Sequence, residues 1–140
     1  KILDITERSD VETIINEINP DIIINCAAYT DVDGSERNKD QAHMVNVVGL
    51  QNLIHASGHQ TYFVQISSDY VFDGNSKKVS EKSVPCPTNY YGKTKYEAEF
   101  IVKKLSTDNL IIRPSILYDV TKKYYKNNFF SFIYNSFQMI

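Results

Sequence analysis

The chain is 140 residues long, with 15 Lys and Arg against 17 Asp and Glu for a net charge of −2. That is enough for about one domain with one core, and the even balance excludes the basic stripe that grips a phosphate backbone, so nucleic acid is not an expected partner. Two cysteines, Cys26 and Cys86, outside any CxxC pattern exclude a zinc knuckle or disulfide framework, and neither a signal core nor a run near the ~20 residues of a membrane span is present, so a cytoplasmic protein without a membrane partner is expected.

In chain order, "KIL" reads as a strand standing at position 1, as if the natural start lay upstream. In "SDVETIINEI", Val11, Ile14, Ile15 and Ile18 mark one helical face, and Ser9 with Glu12 has the spacing of a capping box. "DIIINCAA" is a short β-branched run, which predicts a strand covered on both faces of a parallel sheet, with Cys26 as a small buried hydrophobe. A helix is expected from about Lys39 to Ser57, with Ala42, Val45, Leu53 and Ala56 inward, and "TYFVQIS" supplies the next strand. From Asp69 to Thr88, "FDG" and "PCPT" give a long loop with turn chemistry. Another helix opens near Asn89 and carries Ile101, Val102 and Leu105 as its late apolar stripe. "NLIIRPS" follows as a strand halted by Pro114. The tail "NNFFSFIYNSFQMI" is apolar enough for a closing helix, and its aromatics from Phe129 to Phe137 suit a core or a subunit interface. The order is alternating α/β, with sites expected where strands end.

The stretch "NYYGKTK" places Tyr91 and Lys95 four residues apart, on one helical face. A second Tyr-x-x-x-Lys, Tyr118 with Lys122, shows that the spacing alone is weak. A phenol has a pKa near 10, and a neighbouring ammonium lowers it by stabilising the phenolate. A carbonyl undergoing reduction also needs a hydroxyl on its oxygen, and Ser67 and Ser68 stand directly after "TYFVQI". A hydride donor lying across the strand ends requires small residues there, and "NCAAYT" provides Ala27 and Ala28.

In this order the chain resembles the extended short-chain dehydrogenase/reductases, most closely the dTDP-4-dehydrorhamnose reductase branch. "LDIT", "PDIIINCAAYTDVD", "ISSDYVFDG", "NYYGKTK" and "NFF" carry the likeness over nearly the whole chain. The resemblance implies a Rossmann-type doubly wound parallel sheet, of which residues 1–140 are the central part. It implies Tyr91 as proton donor, Lys95 as its tuner and ribose ligand, and Ser68 as the carbonyl-orienting hydroxyl, with Asp69 touching substrate. Tyr90 is then a neighbour and Tyr118 a decoy. Asp4 and Ile5 would lie near the adenine, Ala27, Ala28 and Tyr29 would line the cofactor, and Asn46 would support the site. The implied reaction passes hydride from NADPH, or NADH, to the 4-keto group of a nucleotide-activated deoxysugar, and the family admits a homodimer.

Two features depart from that branch. The five glycines, at 34, 49, 58, 74 and 92, form no glycine-rich pyrophosphate loop, so the fold is expected to be incomplete at its N-terminus, leaving one side of the sheet exposed. Ile116 follows "RPS" where the branch has a tryptophan, and Asp119 replaces a small residue, which alters the sugar pocket. "ISSDYVFDG", "YGKTK" and "ILY" equally resemble the regulatory β subunit of methionine adenosyltransferase, a non-catalytic NADP-binding partner protein. His43, His55 and His59 fall on the polar face or end of one helix, and no metal site is expected.

Overall fold

The computed structural model describes residues 3–58, 60–76, 78–105 and 108–116. Three β-branched runs become parallel strands, β1 (Ile22–Asn25), β2 (Tyr62–Ile66) and β3 (Asn109–Ile112), side by side in that order. Ile23 pairs with Phe63, and Val64 with Leu110. Parallel neighbours need long crossovers, and helices supply them. Helix α1 (Arg8–Ile18) leads into β1; α2 (Val32–Arg37), α3 (Lys39–His43), a π-helical segment (Met44–Val48) and α4 (Gly49–Ala56) lead into β2; α5 (Tyr90–Val102) leads into β3.

Helix starts show which local signals operate. Asn89 accepts a hydrogen bond from the Gly92 amide at 2.8 Å and so caps α5, and Asp31 accepts one from the Gly34 amide at 2.8 Å and caps α2, a short helix not expected from periodicity. The capping box of Ser9 and Glu12 does not form. Glu7 holds the cap position without a side-chain bond, so Ser9 already lies inside α1, and its carbonyl accepts from the Thr13 hydroxyl. Of the four apolar positions of α1, Val11 and Ile15 are buried, Ile14 is half-buried and Ile18 is exposed.

The expected helix from 39 to 57 is interrupted by the π segment. Within this wider turn the neighbours Asn46 and Val47 are both buried. Ala42 and Leu53 are buried as expected, Val45 and Ala56 are half-buried, and Leu50 joins the core.

The core lies on one face of the sheet. Ile23 and Phe63 pack there against Val11 and Ile15 of α1, Leu50 and Leu53 of α4, and Ala98 and Val102 of α5. The opposite face differs from the expectation that β1 is covered on both sides. Ile22 and Ile24 are 57% and 61% exposed, and Leu110 and Ile112 on β3 are also open. Among the described residues every helix that joins the core packs on the other face. Cys26 follows β1 and is exposed, not buried as the apolar run suggested. The first strand-like residues contribute only Leu3, half-buried against the core, among those described. Tyr118, Asp119, Lys122 and the aromatic tail lie outside the described residues. No helix among the described residues is long and apolar enough to cross a membrane.

The first turn of α5 lies against the backbone at the start of the long loop. A Cβ on Gly92 would stand 2.2 Å from the Tyr70 carbonyl oxygen, so a side chain there forces a backbone shift. Gly92→Ala is expected to destabilise the protein by about 1–3 kcal/mol in urea denaturation. Gly58→Ala, whose new methyl meets only the Thr61 hydroxyl at an ordinary 3.7 Å, is expected to change stability by less than about 1 kcal/mol. Equal effects would show that the close approach at Gly92 carries no cost.

Candidate active site

The strand ends of β2 and the inner face of α5 meet along three consecutive residues. Tyr91, Lys95 and Glu99 recur every four residues on α5, and all three are buried, at 8%, 3% and 0% exposure. Each reaches a different residue at the end of β2. The Tyr91 phenol faces the Ser68 side chain, which favours its ionised form. The Lys95 ammonium donates to the Ile66 carbonyl at 2.7 Å. The Ser67 hydroxyl donates to the Glu99 carboxylate at 2.7 Å.

Tyr91 is therefore the inward tyrosine of the pair. Its ring meets that of Tyr70 edge to face, with centroids 5.8 Å apart. Tyr90 turns the other way: its amide donates to Glu36 at 2.7 Å and Lys39 lies over its ring. Burial pushes the Tyr91 phenol above its ordinary value, the Ser68 hydrogen bond opposes the rise, and the charges of Asp69 and Tyr70 add to it. The direction is the reverse of what pairing with Lys95 alone would produce, because burial dominates. Burial in turn pushes the Lys95 amine down to about 8, with Glu99 and Cys26 pulling it back up.

Ser68 has two local bonds besides. Its hydroxyl accepts from the Tyr70 amide at 3.2 Å, capping the short 3₁₀ turn Asp69–Val71, and donates to the Asp69 carboxylate at 3.2 Å. The end of β2 is further fixed by its backbone, since Ser67 donates to the Ile112 carbonyl at 2.7 Å and Asp69 to that of Pro114 at 3.1 Å.

The residues after β1 converge on the same region. Asn25 donates to the Gln65 side chain at 2.9 Å, and Gln65 donates to the Ile66 carbonyl at 3.0 Å, so that carbonyl serves both Gln65 and Lys95. The Asn25 oxygen also accepts from the Ala27 amide, which turns the chain at the strand end. Ala27 is exposed and Ala28 and Tyr29 half-buried. Asn46, presented by the π segment, accepts from the Tyr29 amide at 2.7 Å and donates to the Tyr29 carbonyl and to the Thr94 hydroxyl, at 3.2 and 2.9 Å. It thereby ties the segment after β1 to the residue beside Lys95.

Asp4 and Ile5 stand apart from this cluster. The Ile5 side chain is part of the core and lies over Gly49, and its carbonyl accepts from the buried Asn52 at 3.0 Å. Asp4 is exposed, and the Thr6 amide and hydroxyl hold its carboxyl below the usual carboxylate range. His43 faces Glu97 and His55 faces Glu12, and no group of three metal-ligating side chains occurs among the described residues.

Sequence reasoning missed Glu99, Arg113, Gln65 and Asn25. The signal for Glu99 was present: it continues the Tyr91–Lys95 row by one more turn, and a carboxylate between Ala98 and Val102 on an apolar face requires a partner.

The chain matches the RmlD substrate binding domain family over residues 1–138. It is 41% identical over 129 residues to dTDP-4-dehydrorhamnose reductase of Aggregatibacter actinomycetemcomitans, a match covering 91% of this chain and 42% of that protein. It is 38% identical over 122 residues to methionine adenosyltransferase 2 subunit beta of Xenopus tropicalis, covering 86% of this chain and 36% of that one. The crystal structure of Bacillus anthracis dTDP-4-dehydrorhamnose reductase in complex with NADP superposes with a TM-score of 0.89 at 40% identity, over 99% of this chain and 48% of that one. The chain thus spans less than half the length of each of these relatives. With the family matched along almost all of its residues and the parallel sheet superposing on a Rossmann-type reductase, the chain belongs to the RmlD substrate binding domain family.

Proposed function

We propose that the protein is a cytoplasmic oxidoreductase that reduces the 4-keto group of a dTDP-deoxysugar, with Ser68, Tyr91 and Lys95 as its catalytic set. The observation that carries this reading is the buried row of Tyr91 and Lys95 on α5 set against the C-terminal end of β2, where the Tyr91 phenol faces Ser68 and the Lys95 ammonium is held by the Ile66 carbonyl. Two hydroxyls side by side can grip one carbonyl oxygen, and one of them can donate a proton to it.

The donor set fits a nicotinamide cofactor at this end of the sheet. Ala27 and Ala28 leave the strand end open, and Lys95 is a buried cation able to hold a ribose hydroxyl. NADPH or NADH supplies the hydride when bound. Ser68 orients the carbonyl, Tyr91 delivers the proton to its oxygen, and Lys95 stabilises the phenolate that remains. Asp69, adjoining Ser68 and half-buried, is placed to meet the sugar. Asp4 and the adjoining Ile5 would lie near the adenine end. The small strand ends, the buried amine and the reductase relatives all support this reading.

The second reading, a non-catalytic NADP-binding subunit, is favoured by the 38% identity to the methionine adenosyltransferase subunit and by an exposed Ile116. Turnover separates the two. With NADPH and a dTDP-4-keto-6-deoxysugar, Tyr91→Phe is expected to lower kcat about 10²–10⁴-fold with little change in cofactor binding. Absence of turnover in the native protein, together with tight binding to a methionine adenosyltransferase catalytic subunit, would decide for the second reading.

A catalytic amine that is buried should weaken the fold that holds it. Lys95 is held at about 8 against an ordinary 10.5, so between those values the unfolded chain binds more protons and stability rises with pH. Below about pH 8 the whole cost of the buried ammonium is present. Lys95→Met is expected to stabilise the fold by on the order of 1–3 kcal/mol at pH 7 while abolishing turnover. The gain should shrink as pH rises from 8 to 10.5. Urea denaturation at pH 7 and pH 10 measures it; a Met variant less stable than the native protein at pH 7 would contradict the argument.

A further inference from the structure

One ionised side chain beneath the catalytic row takes no part in the chemistry so far assigned. The Glu99 carboxylate has no exposed surface, yet it accepts hydrogen bonds from Ser67 Oγ at 2.7 Å, from Arg113 Nε at 2.7 Å and from Arg113 Nη2 at 2.6 Å. Lys103 Nζ stands 3.7 Å away at the rim. Burial alone would raise this carboxyl, but the bonds from Arg113 and Ser67 and the charges of Arg113 and Lys103 outweigh it and hold the group ionised. Arg113 is kept flat for its two-pronged contact by the Phe72 ring, 5.1 Å from the guanidinium carbon.

The placement matters more than the pairing. Glu99 lies on α5, Ser67 at the end of β2 and Arg113 just after β3, so one carboxylate joins the three elements around the strand ends. Ser67 is flanked by Ile66, whose carbonyl holds Lys95, and by Ser68, which meets Tyr91. A carboxylate one turn along the helix also acts directly on the Lys95 charge.

We propose that Glu99 is a positioning residue of the reductase site: clamped by Ser67 and Arg113, its carboxylate fixes the end of β2 against α5 and sets both the place and the charge of Lys95. This assignment presupposes the catalytic role given above to Lys95 only for its effect on turnover; its effect on the Lys95 charge stands without it. The groups facing Lys95 are Glu99 on its own helix, Cys26 after β1 and the Ile66 carbonyl of β2. Those facing Glu99 are Ser67, Arg113 and Lys103.

The test titrates Lys95 in the full-length protein by the ¹³Cε resonance of labelled lysine, alongside the pH profile of kcat/KM. Glu99→Gln keeps an acceptor for Ser67 and removes the charge. The Lys95 midpoint is expected to fall by about one pH unit, and the alkaline limb of the profile with it, costing about fivefold at pH 8 and little at pH 6. Glu99→Asp, which retains the charge, is expected to return the midpoint to near its native value. Should the buried Arg113 left by Glu99→Gln unfold the protein, the double variant Glu99→Gln with Arg113→Gln removes the orphaned cation and is expected to show the same lowered midpoint. An unchanged midpoint in whichever glutamine variant folds, or a loss of activity equal at every pH, overturns the proposal. If the native protein lacks turnover, the reductase reading fails while the Lys95 midpoint still decides the role of Glu99.

Discussion

The Ile66 carbonyl, at the last residue of β2, accepts from the Lys95 ammonium at 2.7 Å and from the Gln65 side chain at 3.0 Å. A buried ammonium far from water is tolerated only where oxygen atoms replace its hydration. This carbonyl is available because the strand ends here and its ladder no longer claims every acceptor. Strand termination and lysine placement are therefore a single event. The rest of the site is arranged around it: Tyr91 one turn before Lys95, Glu99 one turn after, and the two serines that follow Ile66.

A core this polar needs each side chain to be matched. Asn25, Asn46, Asn52, Gln65, Ser67, Thr94, Lys95 and Glu99 are all buried, and among the described residues no buried side-chain nitrogen or oxygen lacks a partner. Such networks specify one arrangement, because any slip leaves a donor or acceptor unpaired in low dielectric. Asn46 illustrates the point: its amide oxygen and nitrogen together close on the Tyr29 backbone while the nitrogen also reaches Thr94. The apolar contacts of Phe63, Leu50 and Val11 supply the driving force for collapse, and the polar set decides the register in which collapse ends.

Much of this was legible from residue order. The strands β2 and β3 and helix α5 follow from apolar runs, and Ser68 lies at the end of β2 with Tyr91 and Lys95 buried on α5, at the strand end where a site was expected. The misses have physical causes. Periodicity assumes 3.6 residues per turn, so it gives no sign of the π turn over Met44–Val48. The Ser9 and Glu12 pair has the right spacing for a cap but begins two residues too late in a helix already opened by Glu7. A continuous apolar run such as "DIIIN" shows that a strand is buried somewhere, not that both faces are covered, and Ile22 and Ile24 stay open. Glu99 and Arg113 are 14 positions apart in the chain, and only the crossover from α5 to β3 brings them together.

The π segment has one more consequence. Each π turn consumes one residue beyond what an α-helix would use, so Met44–Val48 acts as a built-in surplus of chain. Deleting a single amino acid there would let the helix run on as an ordinary one, with Leu50 and Leu53 still facing the sheet, because the wide turn absorbs the extra residue locally. What the deletion would lose is the local bulge that presents Asn46 to the Tyr29 backbone. The surplus residue thus serves the segment beside the active site, while the packing on either side is indifferent to it.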